Sequence, residues 1–353
     1  MAKVNPKNYI IQTKAPLRVS FAGGGTELPL YYKKYGGKVI NSTINLFVHT
    51  LIKKNKVKKL KINLGDFNIS KSFNLNSLKT SHKLFRIHVG VYKKIMKKYN
   101  KNILLPIEIS SFSDAPVGSG LGSSSTLTVA LIKGICGYLN VNLSKSAVAK
   151  LAFEIERIDL NLQGGLQDHY SASYGGLNHL DFKKNGAVKI NKVKINKLLL
   201  SNLESSMMLI HSNITRNSST VIQQKLNDLK NKDDHFLNYL HFAKKNVSEQ
   251  LKLFKKNNFS ELIKIINESW DKKNKQIPKS NAKLKKLILN LKKIGVHCCK
   301  LSGAGNGGFI FAIYDIYKYK KIIEFLKSKK KIYVLKFSFY NEGAVSQKIN
   351  YNL

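Results

Sequence analysis

At 353 residues, with 43% hydrophobic and 10% aromatic content, the chain is long enough for about two domains with real apolar cores. Its formal net charge of +41 invites a nucleic-acid reading, but of the 61 basic residues only four are arginines, Arg18, Arg86, Arg157 and Arg216. Arginine is the residue suited to bidentate phosphate and base contacts, and the lysines are interleaved with apolar residues, as on a solvated face that attracts small anions generally.

Lys14–Ala22 reads as a strand, broken by Gly23-Gly24-Gly25-Thr26. Val39–Lys53 and Val57–Ile62 alternate as further strands, and His82–Tyr99 carries apolar residues at helical spacing. Ile103–Ser111 is a strand leading into PVGSGLGSSST at Pro116–Thr126, and Ser124–Leu139 is the helix after it. A second helix, about Lys145–Asp159, is introduced by Ser144 as its N-cap. A Gly164-Gly165 break precedes Gln167-Asp168-His169, so a loop presents Asp168; Asn185-Gly186 marks a hairpin. Met207–Asn213 is a buried strand, and long amphipathic helices fill about Ser219–Ile294. The chain then runs strand (His297–Leu301), glycine-rich loop (Ser302–Gly308), strand (Phe309–Tyr314), helix (Ile316–Ser328) and strand (Ile332–Phe339). Lysine becomes denser in the second half. With the hairpin, this places a domain boundary near 185–205, giving domains of 1–190 and 191–353 and an α+β pattern. Cys136, Cys298 and Cys299 have no metal-ligand spacing and suit a reducing cytoplasm. No opening signal peptide and no membrane span is expected.

The loop before the Ser124 helix carries the clearest chemistry. Glycines bring backbone close to a ligand; serines can cap the helix, and a helix N-terminus attracts anions. Phosphate binding by Gly118, Ser119, Gly120, Leu121, Gly122, Ser123 and Ser124 is the sharper reading, and a plain glycine-rich turn the blander one. The loop is not a Walker A element, because no Lys-Ser/Thr pair ends it. Nor is it a dinucleotide fingerprint, because Ser123 stands at the third glycine. Two more glycine elements follow strands, Phe21–Glu27 and Ser302–Gly308, which suggests backbones converging on one ligand. A phosphate loop without a Walker lysine needs another cation, Mg²⁺ ligands and a group to position the acceptor hydroxyl. Arg18 is the candidate cation, or an exposed strand arginine. Asp168 is the candidate base, or a helix cap. Ser124 and Glu156 are candidate oxygen ligands for Mg²⁺, with Glu154 close enough to compete.

These residues, in this order, resemble the GHMP kinase family over nearly the whole chain. Pro116–Thr126 is similar to the family's PxxxGLGSS loop, Ala15–Leu28 to its first motif, and KLSGAGNGGF at Lys300–Phe309 to its third. With Glu154–Gly176 and Thr215–Ile222, the first motif resembles most narrowly the heptose 7-phosphate kinases, relatives of the fucose kinase domain, with GGGTEL standing where those usually read GGGTDL. The resemblance implies a ribosomal protein S5 domain-2-like N-terminal half, a ferredoxin-like C-terminal half and an active site between them. It implies ATP and Mg²⁺, with Asp168 facing the acceptor hydroxyl, Arg18 stabilising the developing charge, residues 118–124 cradling the triphosphate, and Ser124 holding the metal. Glu156 matches the metal-binding glutamate with a one-residue difference in its spacing to the aspartate. Gly24, Gly25, Thr26 and Glu27, together with Gly303 and Gly305, match substrate-contacting segments; Arg216 is a further candidate for a substrate phosphate. The expected reaction is phosphorylation of the anomeric hydroxyl of D-glycero-D-manno-heptose 7-phosphate in surface-polysaccharide synthesis. An unphosphorylated sugar such as fucose or galactose is the alternative substrate, and a non-catalytic nucleotide or RNA binder the alternative class.

Overall fold

The computed structural model describes residues 9–80, 82–214, 218–231, 233–275, 282–303, 305, 307–329 and 332–350. The first strand is longer than its sequence signal, β1 (Tyr9–Ala22), and is followed by a short helix α1 (Pro29–Tyr35) that opens on proline, where the missing N–H costs nothing. Next come β2 (Gly37–Lys54), β3 (Lys59–Leu64), β4 (Ile69–Asn74), α2 (Arg86–Tyr99), β5 (Ile107–Ser113), α3 (Ser123–Tyr138), α4 (Lys145–Phe153), α5 (Gln167–Tyr174), β6 (Leu177–Phe182) and β7 (Val188–Lys192). The rest of the chain forms α6 (Lys197–Ser206), β8 (Met207–His211), α7 (Ser218–Lys230), α8 (Asp234–Lys256), α9 (Phe259–Lys275), α10 (Ala282–Lys293), β9 (Val296–Leu301), β10 (Phe309–Tyr314), α11 (Tyr319–Lys327), β11 (Val334–Leu335) and β12 (Val345–Asn350).

Among the described residues the strands make two sheets. The first runs β12-β1-β2-β5-β3-β4, with β6 on β2 and β7 on β6. One long strand holds it together: β2 pairs along residues 37–42 with β6 and along 48–54 with β5. Among the described residues only β3 and β5 pair in parallel. The second sheet, β11-β8-β10-β9, is antiparallel. One core joins the two layers: Phe21 of β1 meets Phe254 of α8 and Phe311 of β10 edge to face, at centroid separations of 5.7 and 5.6 Å. Edge contacts of this kind suit the ring quadrupole. They fix the second sheet against the end of β1, where the first glycine cluster begins.

Several sequence expectations shift. The strand expected from Ile103 begins at Ile107. The helix expected over Lys145–Asp159 does start at a Ser144 cap, whose hydroxyl accepts from Ala147 N at 3.2 Å, but it widens into a π-helical turn over Glu154–Asp159. The strand expected over Ile332–Phe339 keeps only Val334–Leu335, because the chain then crosses to the first sheet, where Phe339 bridges Ile44. The division at residue 190 falls inside β7 and separates β12 from the sheet to which it belongs, since β12 returns to pair with β1.

The returning tail is held at the end of α5. Gly176 N donates to Tyr340 O at 2.9 Å and Ala344 N to Ala172 O at 2.7 Å. Between them Gly175 has φ +69°, and a methyl group there would lie 2.0 Å from the Glu342 carbonyl. Gly175→Ala is therefore expected to lower stability by about 1 kcal/mol or more and to expose the β12 amides. Thermal melting and amide exchange check this; an unchanged melt with β12 still protected would contradict it.

Candidate active site

The loop between β5 and α3 alternates conformations. Gly118, Gly120 and Gly122 have φ of +81°, +80° and +85°, and Ser119 and Leu121 stand between them. Gly122 occupies the cap position and no side chain caps α3, contrary to the expected serine cap. Ser119 Oγ instead contacts Ser123 Oγ at 3.1 Å and accepts from Leu121 N at 3.3 Å, which fixes the loop from inside. Leu121 is fully buried, so it anchors the loop. The N-terminus of α3 thus faces a cleft of about 470 Å³ with the positive end of its dipole. The far wall of that cleft is largely apolar, including Leu64, Phe67, Leu84, Ile87 and Phe112.

Arg18 reaches this loop because β1 is irregular. The β1–β2 register shifts between Pro16 and Arg18, a bulge of the sort that re-aims side chains. Arg18 N donates to Leu121 O at 3.1 Å, Nη1 to Gly120 O at 2.8 Å, and Nε to Asp168 Oδ1 at 2.7 Å. The guanidinium is 4% exposed. Asp168 is the second residue of α5 rather than part of a loop, as the Gly-Gly break had suggested. Its carboxylate lies against Gly122, where an added Cβ would be 3.1 Å from Asp168 Cγ.

Ser124 and Glu156 also meet. Ser124 Oγ donates to Glu156 Oε1 at 2.5 Å, and Glu156 Oε2 is 2.7 Å from His169 Nε2. Arg157 completes the cluster, with Nη1 3.2 Å from Glu156 Oε1 and Nη2 donating to Ser125 Oγ at 3.0 Å. Burial opposes ionisation of Glu156, but Arg157, His169 and Ser124 outweigh it and hold the carboxyl well below the usual range. Glu154 points elsewhere, to Lys94 at 2.6 Å. Glu156 lies in the π turn, where Leu160 N donates to Ile155 O, an i→i+5 bond that takes up one residue more than an α turn.

A second, smaller cavity of about 30 Å³ adjoins the cleft and shares Arg18 and Gly303 with it. Gly24 lines it directly, whereas Gly25 and Glu27 stand behind. Glu27 Oε2 accepts from Gly25 N at 2.6 Å and Oε1 from Gln167 Nε2 at 2.5 Å. Burial, reinforced by the charge of Asp168, raises Glu27 above the ordinary carboxylate range despite those bonds. Thr26 is committed to the turn, donating to Gly23 O and Lys38 O at 2.8 and 2.7 Å. Gln167 Oε1 and Ser20 Oγ, both buried on residues that line the cavity, have no hydrogen-bond partner among the described residues. Gly303 and Gly305 take left-handed φ of +67° and +110° in the third glycine loop. Arg216 lies outside the described residues.

The sequence reading missed His169, Arg157, Gln167, Tyr239, Lys273 and Lys300. Arg157 had a usable signal in the scarcity of arginine; the others are placed only by packing. Lys300 donates to Ser20 O and Phe21 O at 2.7 and 2.8 Å, tying β9 to the end of β1, and burial pulls its pKa down to about 8.

Comparison with known proteins decides the family. The GHMP kinases N terminal domain matches residues 86–176 and the GHMP kinases C terminal domain residues 250–332. The chain is 36% identical to the D-glycero-alpha-D-manno-heptose 7-phosphate kinase of Campylobacter jejuni, over 96% of this chain and 99% of that one. The chain belongs to the GHMP kinase family. A crystal structure of a D-glycero-D-manno-heptose 1-phosphate kinase from Bacteroides thetaiotaomicron superposes with a TM-score of 0.80 at 29% identity, covering 96% of this chain and 99% of that one. The L-fucokinase/L-fucose-1-P guanylyltransferase of Bacteroides fragilis is 22% identical over 87% of this chain and 35% of its own. This GHMP kinase has the two-domain fold of the family and is a kinase with a sugar as phosphate acceptor and ATP as donor. No helix among its described residues is long and apolar enough to cross a membrane.

Gly122→Ala is expected to weaken binding of an ATP analogue about tenfold, since the methyl would force a strained φ and push on Asp168. Calorimetric titration checks this. Unaltered affinity would show that the loop tolerates the side chain.

Proposed function

We propose that this kinase phosphorylates the anomeric hydroxyl of D-glycero-D-manno-heptose 7-phosphate, giving the 1,7-bisphosphate for nucleotide-activated heptose and surface polysaccharide, in the cytoplasm. The observation that carries the reading is the Arg18–Asp168 pair, which stands where the triphosphate-sized cleft meets the small polar cavity. The name of the C. jejuni relative supplies the sugar. A heptose phosphate also figures in the name of the B. thetaiotaomicron structure, there as the 1-phosphate.

In this reading the 118–124 loop and the α3 N-terminus hold the β- and γ-phosphates of ATP, and the apolar wall takes the base. The sugar enters the small cavity, with Gln167 Oε1 and Ser20 Oγ available to its hydroxyls. The acceptor oxygen attacks the γ-phosphorus, the bond to the β–γ bridging oxygen breaks, and ADP leaves. Asp168 orients the acceptor hydroxyl and takes its proton, and Arg18 counters the charge that gathers on the transferred phosphoryl group. Ser124 and Glu156 fit Mg²⁺: they are two hard oxygen donors 2.5 Å apart beside the loop, one of them an ionised carboxylate. When bound there, the metal would neutralise phosphate charge.

An ADP-release assay over heptose 7-phosphate, heptose 1-phosphate, fucose, galactose and mevalonate tests the substrate. Turnover of the 7-phosphate well above the others is expected; preference for another acceptor would overturn the assignment. Asp168→Asn is expected to lower kcat about a hundredfold or more while ATP still binds. An unaltered kcat would remove Asp168 from the reaction.

A further inference from the structure

We infer that His169 leaves Glu156 a single oxygen to offer a metal, and so favours Mg²⁺ over a larger divalent cation such as Ca²⁺. The inference rests on the reading of Ser124 and Glu156 as Mg²⁺ donors and adds a positioning residue to it. The two oxygens of Glu156 stand on different sides. Oε1 accepts from Ser124 Oγ at 2.5 Å and lies 3.2 Å from Arg157 Nη1. Ser124 and Arg157 both line the large cleft beside the 118–124 loop. Oε2 lies 2.7 Å from His169 Nε2, on a residue with no exposed surface that stands behind the cleft wall. The carboxylate thus turns one oxygen to the cleft and spends the other on the interior.

His169 is built to keep it so. A carboxylate only accepts hydrogen bonds, so chemistry assigns the hydrogen of this contact to Nε2. The backbone of His169 belongs to the first turn of α5, and its ring meets Phe153 nearly edge-on, at a centroid separation of 5.9 Å and an angle of 86°. Its Nδ1 has no hydrogen-bond partner among the described residues. The ring's polar contact is therefore with the inner oxygen of Glu156, which is how a buried histidine orients a metal-binding carboxylate. The consequence follows from the sizes of the two cations. Mg²⁺ demands near-octahedral geometry with short bonds, and two oxygens of one carboxylate subtend too narrow an angle for it. Ca²⁺ is larger, takes more oxygens and readily accepts a carboxylate through both. With Oε2 tied to His169, Glu156 supplies Oε1 alone, and the cation that would gain from both oxygens loses that gain. A histidine present only to satisfy a buried carboxylate would leave the preference between the two metals unaltered on its removal.

The test titrates MgCl₂ and CaCl₂ into the whole chain in the presence of a non-hydrolysable ATP analogue, by calorimetry. Wild type, His169→Phe, His169→Gln and Glu156→Gln are compared, and melting temperatures confirm folding. The nucleotide's own affinity for each metal is common to all four, so a change in the ratio of the two affinities reports the protein. H169F keeps a ring against Phe153 and removes the donor, and its ratio is expected to shift about tenfold towards Ca²⁺. H169Q, whose amide can donate to Oε2, should keep the ratio within about twofold of wild type. E156Q should bind both metals more weakly. An unaltered ratio in H169F, or an equal shift in H169Q, overturns the role of His169 while leaving Glu156 as a ligand. A wild type that binds Ca²⁺ as tightly as Mg²⁺ overturns it whatever the variants do. An E156Q protein that binds both metals like wild type overturns the metal reading and the inference together.

Discussion

The site depends on the buried guanidinium of Arg18. A charge at 4% exposure is costly unless paired and hydrogen-bonded. Here the contacts join two other parts of the chain: Nε meets Asp168 on α5, while Nη1 and the backbone N–H of the same residue hold Gly120 and Leu121 of the 118–124 loop. The bulge after Pro16 makes this possible, because a regular β1 would have spent that N–H on the ladder with β2. One irregularity in a strand thus couples the position of the Asp168 carboxylate to the position of the 118–124 loop. Removing either partner would leave the other's charge in a poorly solvated place, so the pair constrains the fold as well as the chemistry.

The glycine elements supply the second constraint, which is proximity of backbones. Phe309 N donates to Ser119 O at 2.9 Å and Ser302 N to Phe309 O at 2.9 Å, so the third glycine loop lies on the second. Lys300 reaches Ser20 O and Phe21 O just before the first. The second sheet therefore closes the site by main-chain contacts and one buried amine, while the Phe21–Phe254–Phe311 core holds the layers in register behind it. Tyr239 of α8 and Ser269 and Lys273 of α9 line the small cavity together with the end of β1 and the third glycine loop.

Much of this was legible in the sequence wherever the signal is local. Strand alternation located β1 and β2, Ser144 announced its cap, and three glycine clusters marked the strand ends that converge. The misreadings came from forces that act at a distance. Serines 123–125 look like caps, yet Gly122 takes the cap position because the loop must turn left-handed there and the serine hydroxyls have other partners. Strand β12 is half polar and exposed, so its pairing with β1 is carried by main-chain bonds that no hydrophobic pattern announces. Glu156 stands one residue off the spacing of the family motif, and the π-helical turn in which it lies has no local sequence signature. Lys273 is one of several lysines in an amphipathic helix, and only the packing of α9 against the third glycine loop separates it from the rest.

The first turn of α5 shows how few residues can organise such a site. Successive residues on a helix point about 100° apart, so three in a row fan out over most of a circle. Gln167 turns to Glu27 and the sugar segment, Asp168 to Arg18 and the phosphate loop, and His169 to Glu156 and the Ser124 hydroxyl behind it. The Glu27 turn, the carboxylate proposed to meet the acceptor and the oxygen pair proposed for a metal are thus set by one turn. Its far end is clamped in turn by the tail at Ala172, Gly175 and Gly176. A shift of α5 would move all three functions together, keeping their relative geometry. This gives a physical reason for building the site on a helix terminus rather than on the exposed loop that the glycine pair at 164–165 suggested.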